Sequence, residues 1–236
     1  MRGNKVREIE TKFQSYAWIA PFLDCRVHNR TLFTDWVASF HPERLACQLA
    51  CDTLDNDYHG AHNWGVRVIF PETDESWMVR FVRHGYVALP DEKVEREVAA
   101  IQLIRKHTDI PVPEIKAWGL SRDNILETGP FIMSSFVEGK DLGNILQDAE
   151  YKERSMADSI DGSTIEKIYR QIARFQLQLA SLNFSHIGGL SPDAHFDDQR
   201  KIINVDKRPL TWKGHSIMAD GDVDVLGKCI ICSLCK

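Results

Sequence analysis

An arginine inside an apolar strand and a glutamate beside the apolar stripe of a helix are the residues of this sequence best suited to chemistry. Arg80 lies in WMVRF among Trp77, Val79 and Phe81, and Glu97 lies in EKVEREVAAI among Val94, Val98 and Ile101. An unpaired buried charge is very costly, so each must face solvent or find an opposite charge. Two readings stay open. In one, Glu97 holds Arg80 and the guanidinium is presented to the phosphates of a nucleotide. In the other, both are surface residues with no mutual role. A second candidate is the turn-rich stretch CDTLDNDYHGAHN at 51–63. Glycine has no Cβ, so a backbone N–H at Gly60 can come close to an anion. There is no G-x-G-x-x-G and no G-x-x-x-x-G-K-[ST], only Gly60-Ala61-His62-Asn63, and taken alone an ordinary hairpin turn is the favoured reading.

The elements that must position these residues are legible in the pattern. WGVRVIF places Trp64, Val66, Val68 and Phe70 on one face and Gly65, Arg67 and Ile69 on the other, and Trp77, Val79 and Phe81 alternate with Met78 and Arg80. Period-two alternation of β-branched and aromatic residues predicts two half-buried strands, with Pro71 and the polar residues 72–76 as their turn. After Leu89-Pro90, residues Val94, Val98, Ile101 and Ile104 recur at spacings of four and three, predicting a helix with Asp91 and Glu92 at its positive end. Prolines 111 and 113 force extended backbone, and strands are expected at 114–119 and along GPFIMSSFVEG at 129–139.

Upstream, Phe33, Trp36, Val37 and Phe40 form a helical stripe that reads as a packing extension, and Leu45 and Leu49 are expected to begin another short helix. Downstream, Ser163 and Glu166 suggest a capping box. Ile165, Ile168, Ile172, Phe175, Leu179 and Leu182 then predict a core helix of about 20 residues. The charged stretch 147–162 is expected to be flexible, and 193–214 a poorly ordered loop with a short β pair around 202–205.

Composition bounds the rest. The 236 residues, 43% hydrophobic and 27% charged, suit a globular protein of one or two domains. A net charge of −5 gives no electrostatic reason to expect nucleic acid or an anionic membrane as partner. No apolar run approaches the ~20 residues of a transmembrane helix. The opening MRGNKVREIETKF is too polar for a secretory signal, so a cytoplasmic, reducing setting is expected. Cys47 and Cys51, one helical turn apart, read as buried free thiols. Cys229, Cys232 and Cys235 crowd into seven residues without an obvious fourth ligand, so a zinc site is disfavoured and no metal site is assigned.

The segments NWGVRVIF, WMVRF, EKVEREVAAIQLIRKHTDIPVPEI, GPFIMSSFVEGKDL, QLASLNFSHIGGL and RPLT together resemble the aminoglycoside phosphotransferase family, in particular its fungal branch of kinase-like proteins. The resemblance runs from about residue 54 to about 208. It implies an α+β, protein-kinase-like fold: a small antiparallel β lobe with one long helix, then a partial helical large lobe. The expected boundaries are a helical extension at 1–50, the small lobe at 51–138, the partial large lobe at 139–228 and a cysteine-containing tail at 229–236. The resemblance further implies ATP as ligand. Gly60, Ala61, His62 and Asn63 would cover the nucleotide, Arg80 would be its strand cation and Glu97 the helix glutamate paired to it. Ser135 and Val137 would be the hinge that meets the adenine edge, and Gly139-Lys140-Asp141-Leu142 the turn into the second lobe.

The family's H-G-D loop and its later magnesium-binding aspartate are absent. His59-Gly60 and His84-Gly85 are followed by alanine and tyrosine, and Asp222 and Asp224 read as turn acids. Phosphoryl transfer depends on positioning and on metal neutralisation of charge. Magnesium is therefore expected for the family but not for this chain, which should not turn ATP over. The terminal KCIICSLCK is expected to close a truncated or differently spliced reading frame. The face of the 163–182 helix is expected to lack its cover, which makes a protein partner on that helix the alternative function: a non-catalytic binding module.

Overall fold

The structure, a computed structural model, describes residues 30–51, 58–60, 62–83, 86–139, 142–146 and 160–209. Several expectations therefore lie outside the described residues: those for Ala61, Cys25, His84-Gly85, Lys140 and Asp141, the stretch 147–159, Asp222, Asp224 and the terminal cysteines. Helix α1 (Arg30–Ala38) is followed by strands β1 (Gln48–Leu49), β2 (Tyr58–His59), β3 (Asn63–Phe70) and β4 (Glu75–Val82). Helix α2 (Pro90–His107) then leads to β5 (Ile115–Gly119) and β6 (Phe131–Ser135). A short α3 (Leu142–Leu146), a long α4 (Gly162–Ala180) and the hairpin β7 (Phe196–Asp197) to β8 (Ile202–Ile203) complete the order.

The class is α+β. Strands β1 to β6 form one antiparallel sheet in the order β1-β3-β4-β6-β5, with β2 also paired to β3. Asp74 closes the β3–β4 turn at φ 56°, a left-handed conformation that Asp and Asn tolerate better than most side chains.

The two faces of the sheet are packed differently. On the first, Val66, Val68, Phe70, Trp77, Val79, Phe81, Phe131 and Met133 form a core with Phe33, Trp36 and Val37 of α1. Trp36 stacks on Phe81 at 6.0 Å and meets Phe131 edge-on at 4.8 Å. The helical stripe upstream thus closes one side of the sheet. On the second face, Val82, Val87 and Ile132 meet Val94 and Val98 of α2. Helix α2 begins on Pro90, with Asp91 and Glu92 in its first turn and Arg105, Lys106 and His107 in its last, each complementing the helix dipole.

Four expectations are corrected. Leu45 and Leu49 do not start a helix: Arg44 turns the chain at φ 54°, and Gln48 and Leu49 pair with Ile69 and Val68 on the edge of β3. A free strand edge offers unpaired N–H and C=O groups, and this pairing satisfies them. Cys47 and Cys51 accordingly lie off any helix, neither in a disulfide and both half-buried, and burial, then the charge of Asp35, pushes the Cys47 thiol up to about 11. Helix α4 is capped not by a Ser163–Glu166 box but by Asp161, which accepts the Thr164 N–H at 2.9 Å, while Glu166 pairs with Arg170. Nor is α4 a core helix. It has no buried residue, and Ile172 and Leu179 of its stripe are exposed.

Within 193–209 the short β pair is present, β7 with β8, in otherwise irregular chain that is well packed; residues 210–214 lie outside the described residues. Ile203 and Val205 are buried, and Gly189 exchanges backbone hydrogen bonds with Lys207 at 2.9 and 3.0 Å. Close approach requires glycine here, because a Cβ at Gly188 would lie 2.4 Å from Val205 Cγ1 and 2.5 Å from the Lys207 carbonyl oxygen. The segment clasps the outer side of α2. Arg96 donates to the Arg208 carbonyl at 2.6 Å, and Glu92 accepts from the Arg208 guanidinium at 2.7 Å and pairs with Arg96 at 3.2 Å.

Candidate functional site

Arg80 occupies the middle of β4, opposite Gly65 on one side and Ile132 on the other. Alternation turns it to the second face of the sheet, toward α2, and one turn of helix from Lys93 brings Glu97 to meet it. Arg80 Nη2 lies 2.7 Å from Glu97 Oε1, so the two side chains are partners rather than unrelated surface residues. Lys93 was missed. Its Nζ donates to Glu97 Oε2 at 2.8 Å and to Asn63 Oδ1 at 3.1 Å. The signal was present, since a Lys and a Glu four apart on a helix face are neighbours. Burial works to raise the Glu97 pKa, but the charges and hydrogen bonds of Arg80 and Lys93 outweigh it and hold the carboxyl below its usual range.

The turn before β3 is closed by the Gly60 N–H, which donates to the Asn63 carbonyl at 2.9 Å. In this structure that N–H closes the turn rather than pointing outward. Arg83 clasps the turn from β4's end: its backbone N–H donates to the His62 carbonyl at 2.8 Å and its Nη1 to the Gly60 carbonyl at 3.1 Å. The Arg83 guanidinium lies over the Tyr86 ring, 4.0 Å from its centroid. His62 reports the local potential. Partial burial, then the nearby charges of Lys93 and Arg83, push its pKa below the ordinary value and keep the ring neutral near pH 7.

The expected hinge residues lie away from this cluster, at the far end of β6. Ser135 pairs with Trp77 across β4, donates its N–H to the Glu114 carbonyl at 2.8 Å and accepts the Glu114 N–H on its hydroxyl at 2.9 Å. Val137 is exposed. Beside them is a second group that sequence reasoning missed, built on Arg67, whose register opposite Met78 puts it on the same face as Arg80. The Arg67 guanidinium lies 4.0 Å over Phe136, pairs with Glu138 and donates to Ser76 Oγ at 3.2 Å. Tyr58 meets Phe136 edge-on at 5.6 Å. The site residues thus fall apart: Arg80 and Glu97 meet on the second face near Asn63, while Ser135, opposite Trp77, turns its side chain to the first face beside the aromatic group at Phe136. No group of three or more His, Cys, Asp or Glu side chains suited to a metal occurs among the described residues.

This chain is similar to proteins from yeasts that share one name, "Altered inheritance of mitochondria protein 9, mitochondrial". It is 30% identical to that of Clavispora lusitaniae over 125 residues, 50% of this chain and 18% of the relative. To that of Debaryomyces hansenii it is 28% identical over 127 residues, 52% of this chain and 19% of the relative. To that of Scheffersomyces stipitis it is 26% identical over 117 residues, 48% of this chain and 16% of the relative. The match thus spans less than a fifth of each relative. No model of a known protein family matches the chain. No solved structure matches it either.

These findings correct three expectations. The relatives are named for mitochondrial inheritance and none of them as an aminoglycoside phosphotransferase, so the family expectation and the phosphate-transfer function attached to it, with its pseudoenzyme variant, are set aside. The physical reason is that a strand–helix ion pair answers the cost of two half-buried charges whatever the protein does with them. The cytoplasmic setting is also overturned, because every one of these relatives is named as mitochondrial. A polar N-terminus argues against a secretory signal, whose core is apolar. It does not separate cytoplasm from mitochondrion, since transit peptides are themselves polar on one face.

Proposed function

We propose that this chain contains the nucleotide-binding lobe of a mitochondrial protein, with ATP held on the second face of the sheet. The finer architecture of this reading is a protein-kinase-like small lobe over 51–138, supported by the order hairpin, helix, strand, strand. Gly60, His62 and Asn63 flank the phosphates, Arg80 faces them from Glu97, and the backbone from Ser135 to Val137, where the chain leaves β6, is where a base would sit. The observation that carries it is that Arg80 and Lys93 share Glu97 while Lys93 and Arg83 reach Asn63 and the Gly60 carbonyl of the adjoining turn. The mitochondrial setting is supported by the names of the relatives. Calorimetric titration of ATP into the folded chain, beside Arg80→Ala, tests the reading. Saturable binding weakened at least tenfold by the substitution is expected, and no binding up to millimolar ATP refutes it. Fractionation of cells carrying the tagged chain tests the compartment.

A second reading rests on α4, whose stripe is left open with Ile172 43% and Leu179 42% exposed. It makes that stripe a surface for a protein partner. Changing Phe175 and Leu179 together to Asp should abolish the partner's binding while circular dichroism stays native; a loss of fold instead makes the stripe structural.

A further inference from the structure

Around Gly60 and Asn63 the described residues bring cations together with mostly neutral partners. Arg80 and Lys93 share Glu97 at 2.7 and 2.8 Å. Arg83, the third cation, has no carboxylate partner among the described residues: its guanidinium rests on the Gly60 carbonyl at 3.1 Å and on the face of Tyr86 at 4.0 Å. Among the described residues, Arg80 and Lys93 thus share one carboxylate, and Lys93 and Arg83 reach the turn through neutral oxygens. Lys93 is also incompletely matched, since its second partner is the neutral amide oxygen of Asn63 at 3.1 Å. These cations come from three positions, the middle of β4, its end and the first turns of α2, and all are half-buried, where a charge is screened less than in open water.

We propose that Lys93 and Arg83 form a phosphate-dianion site at the 60–63 turn, which makes the lobe selective for the polyphosphate end of its ligand rather than for the base. This rests on the nucleotide reading and deepens it, by assigning selectivity to two residues outside the strand–helix pair. A terminal phosphate carries a charge between −1.5 and −2 near pH 7, enough to engage two cations at once. Both cations hold replaceable partners. A carbonyl oxygen and an amide oxygen are weaker acceptors than a phosphate oxygen, so an arriving dianion exchanges neutral contacts for charge-assisted ones. Arg80 stays with Glu97, because removing it would strand a half-buried carboxylate. The lowered pKa of His62, set by burial and then by the charges of Lys93 and Arg83, fits this arrangement.

The test uses the whole chain in calorimetry at low salt with a chelator present, and tripolyphosphate, ATP and adenosine as probes. Tripolyphosphate and ATP should bind and adenosine should not. Arg83→Gln and Lys93→Gln should each weaken tripolyphosphate by roughly ten- to a hundred-fold, the range for a lost charge-assisted hydrogen bond, while Arg122→Gln on the exposed turn after β5 should leave it unchanged. Lys93→Arg, which keeps the charge, should restore most of the affinity. Thermal unfolding of each variant shows that the fold is retained. Should tripolyphosphate bind and ATP not, the phosphate site stands and the nucleotide reading fails. Should ATP bind wild type and both glutamine variants alike, the phosphate site is refuted and the nucleotide reading survives. Binding of neither probe refutes both.

Discussion

The sheet lobe and helix α4 are built from similarly apolar residues and end in opposite states. In the lobe, each apolar face meets a helix: α1 closes one side through Trp36 and α2 the other through Val94 and Val98. In α4, a stripe of Ile165, Ile168, Ile172, Phe175, Leu179 and Leu182 follows an equally regular period, yet the helix buries none of its residues. Periodicity states which residues will share a face. It does not state that a partner exists to cover it, and only the lobe has both halves of its interface within the described chain.

That contrast can be broken most directly in the core. Trp36→Ala removes an indole that touches Phe33, Phe40, Phe81 and Phe131. It should cost about 3–5 kcal/mol in chemical denaturation, the range for a large aromatic deleted from a packed core. Gly188→Ala should come next, at about 1–3 kcal/mol, since a new Cβ must displace both a side chain and a carbonyl. Faster hydrogen exchange across 184–208 would locate the damage.

Glu97→Gln should cost about 1–2 kcal/mol. This is less than the full figure for a buried pair, because both partners are about a quarter exposed, at 26%. The effect has a definite pH dependence. The folded carboxyl titrates below its unfolded value. Its contribution is therefore complete above the unfolded pKa of about 4.3 and fades as pH falls through the lower folded value. Stability curves of wild type and Glu97→Gln should run apart at pH 6 and converge in acid; a constant gap would mean that the pair is not what holds Glu97. The smallest effect belongs to α4. Ile172→Asp should change stability by no more than about 0.5 kcal/mol, as for an exposed position. A cost near that of Trp36→Ala would show the stripe to be covered, and the contrast would collapse.

The sequence was most informative where alternation and charge acted together. Strands β3 and β4, their faces and helix α2 follow from period alone, and the need to pair Arg80 pointed to Glu97. Lys93 was within reach through its four-residue offset from Glu97, and Arg67 through its place on the same face as Arg80. Arg83 was not, because its partners are a carbonyl 23 residues back and a ring face, neither of which leaves a pattern in the residue types. Strand β1 escaped for a similar reason. Two residues cannot display a period, and Gln48 and Leu49 are extended only because the edge of β3 is there to receive them. The capping of α4 by Asp161 shows local chemistry competing at close range, since Ser163 two residues on is itself bonded to that aspartate. Family and compartment failed at a different level: the pattern of a lobe describes its packing, and neither a name nor an address is written in packing.

The clasp on the outer side of α2 has a consequence for the order in which the chain is made. Arg208 and Glu92, which it joins, are 116 residues apart. At ordinary synthesis rates the helix leaves the ribosome on the order of ten seconds before its clasp can follow. Through that interval Glu92 and Arg96 stand on a formed helix without their final partner, so a nascent chain displays on α2 a polar surface that the finished one conceals.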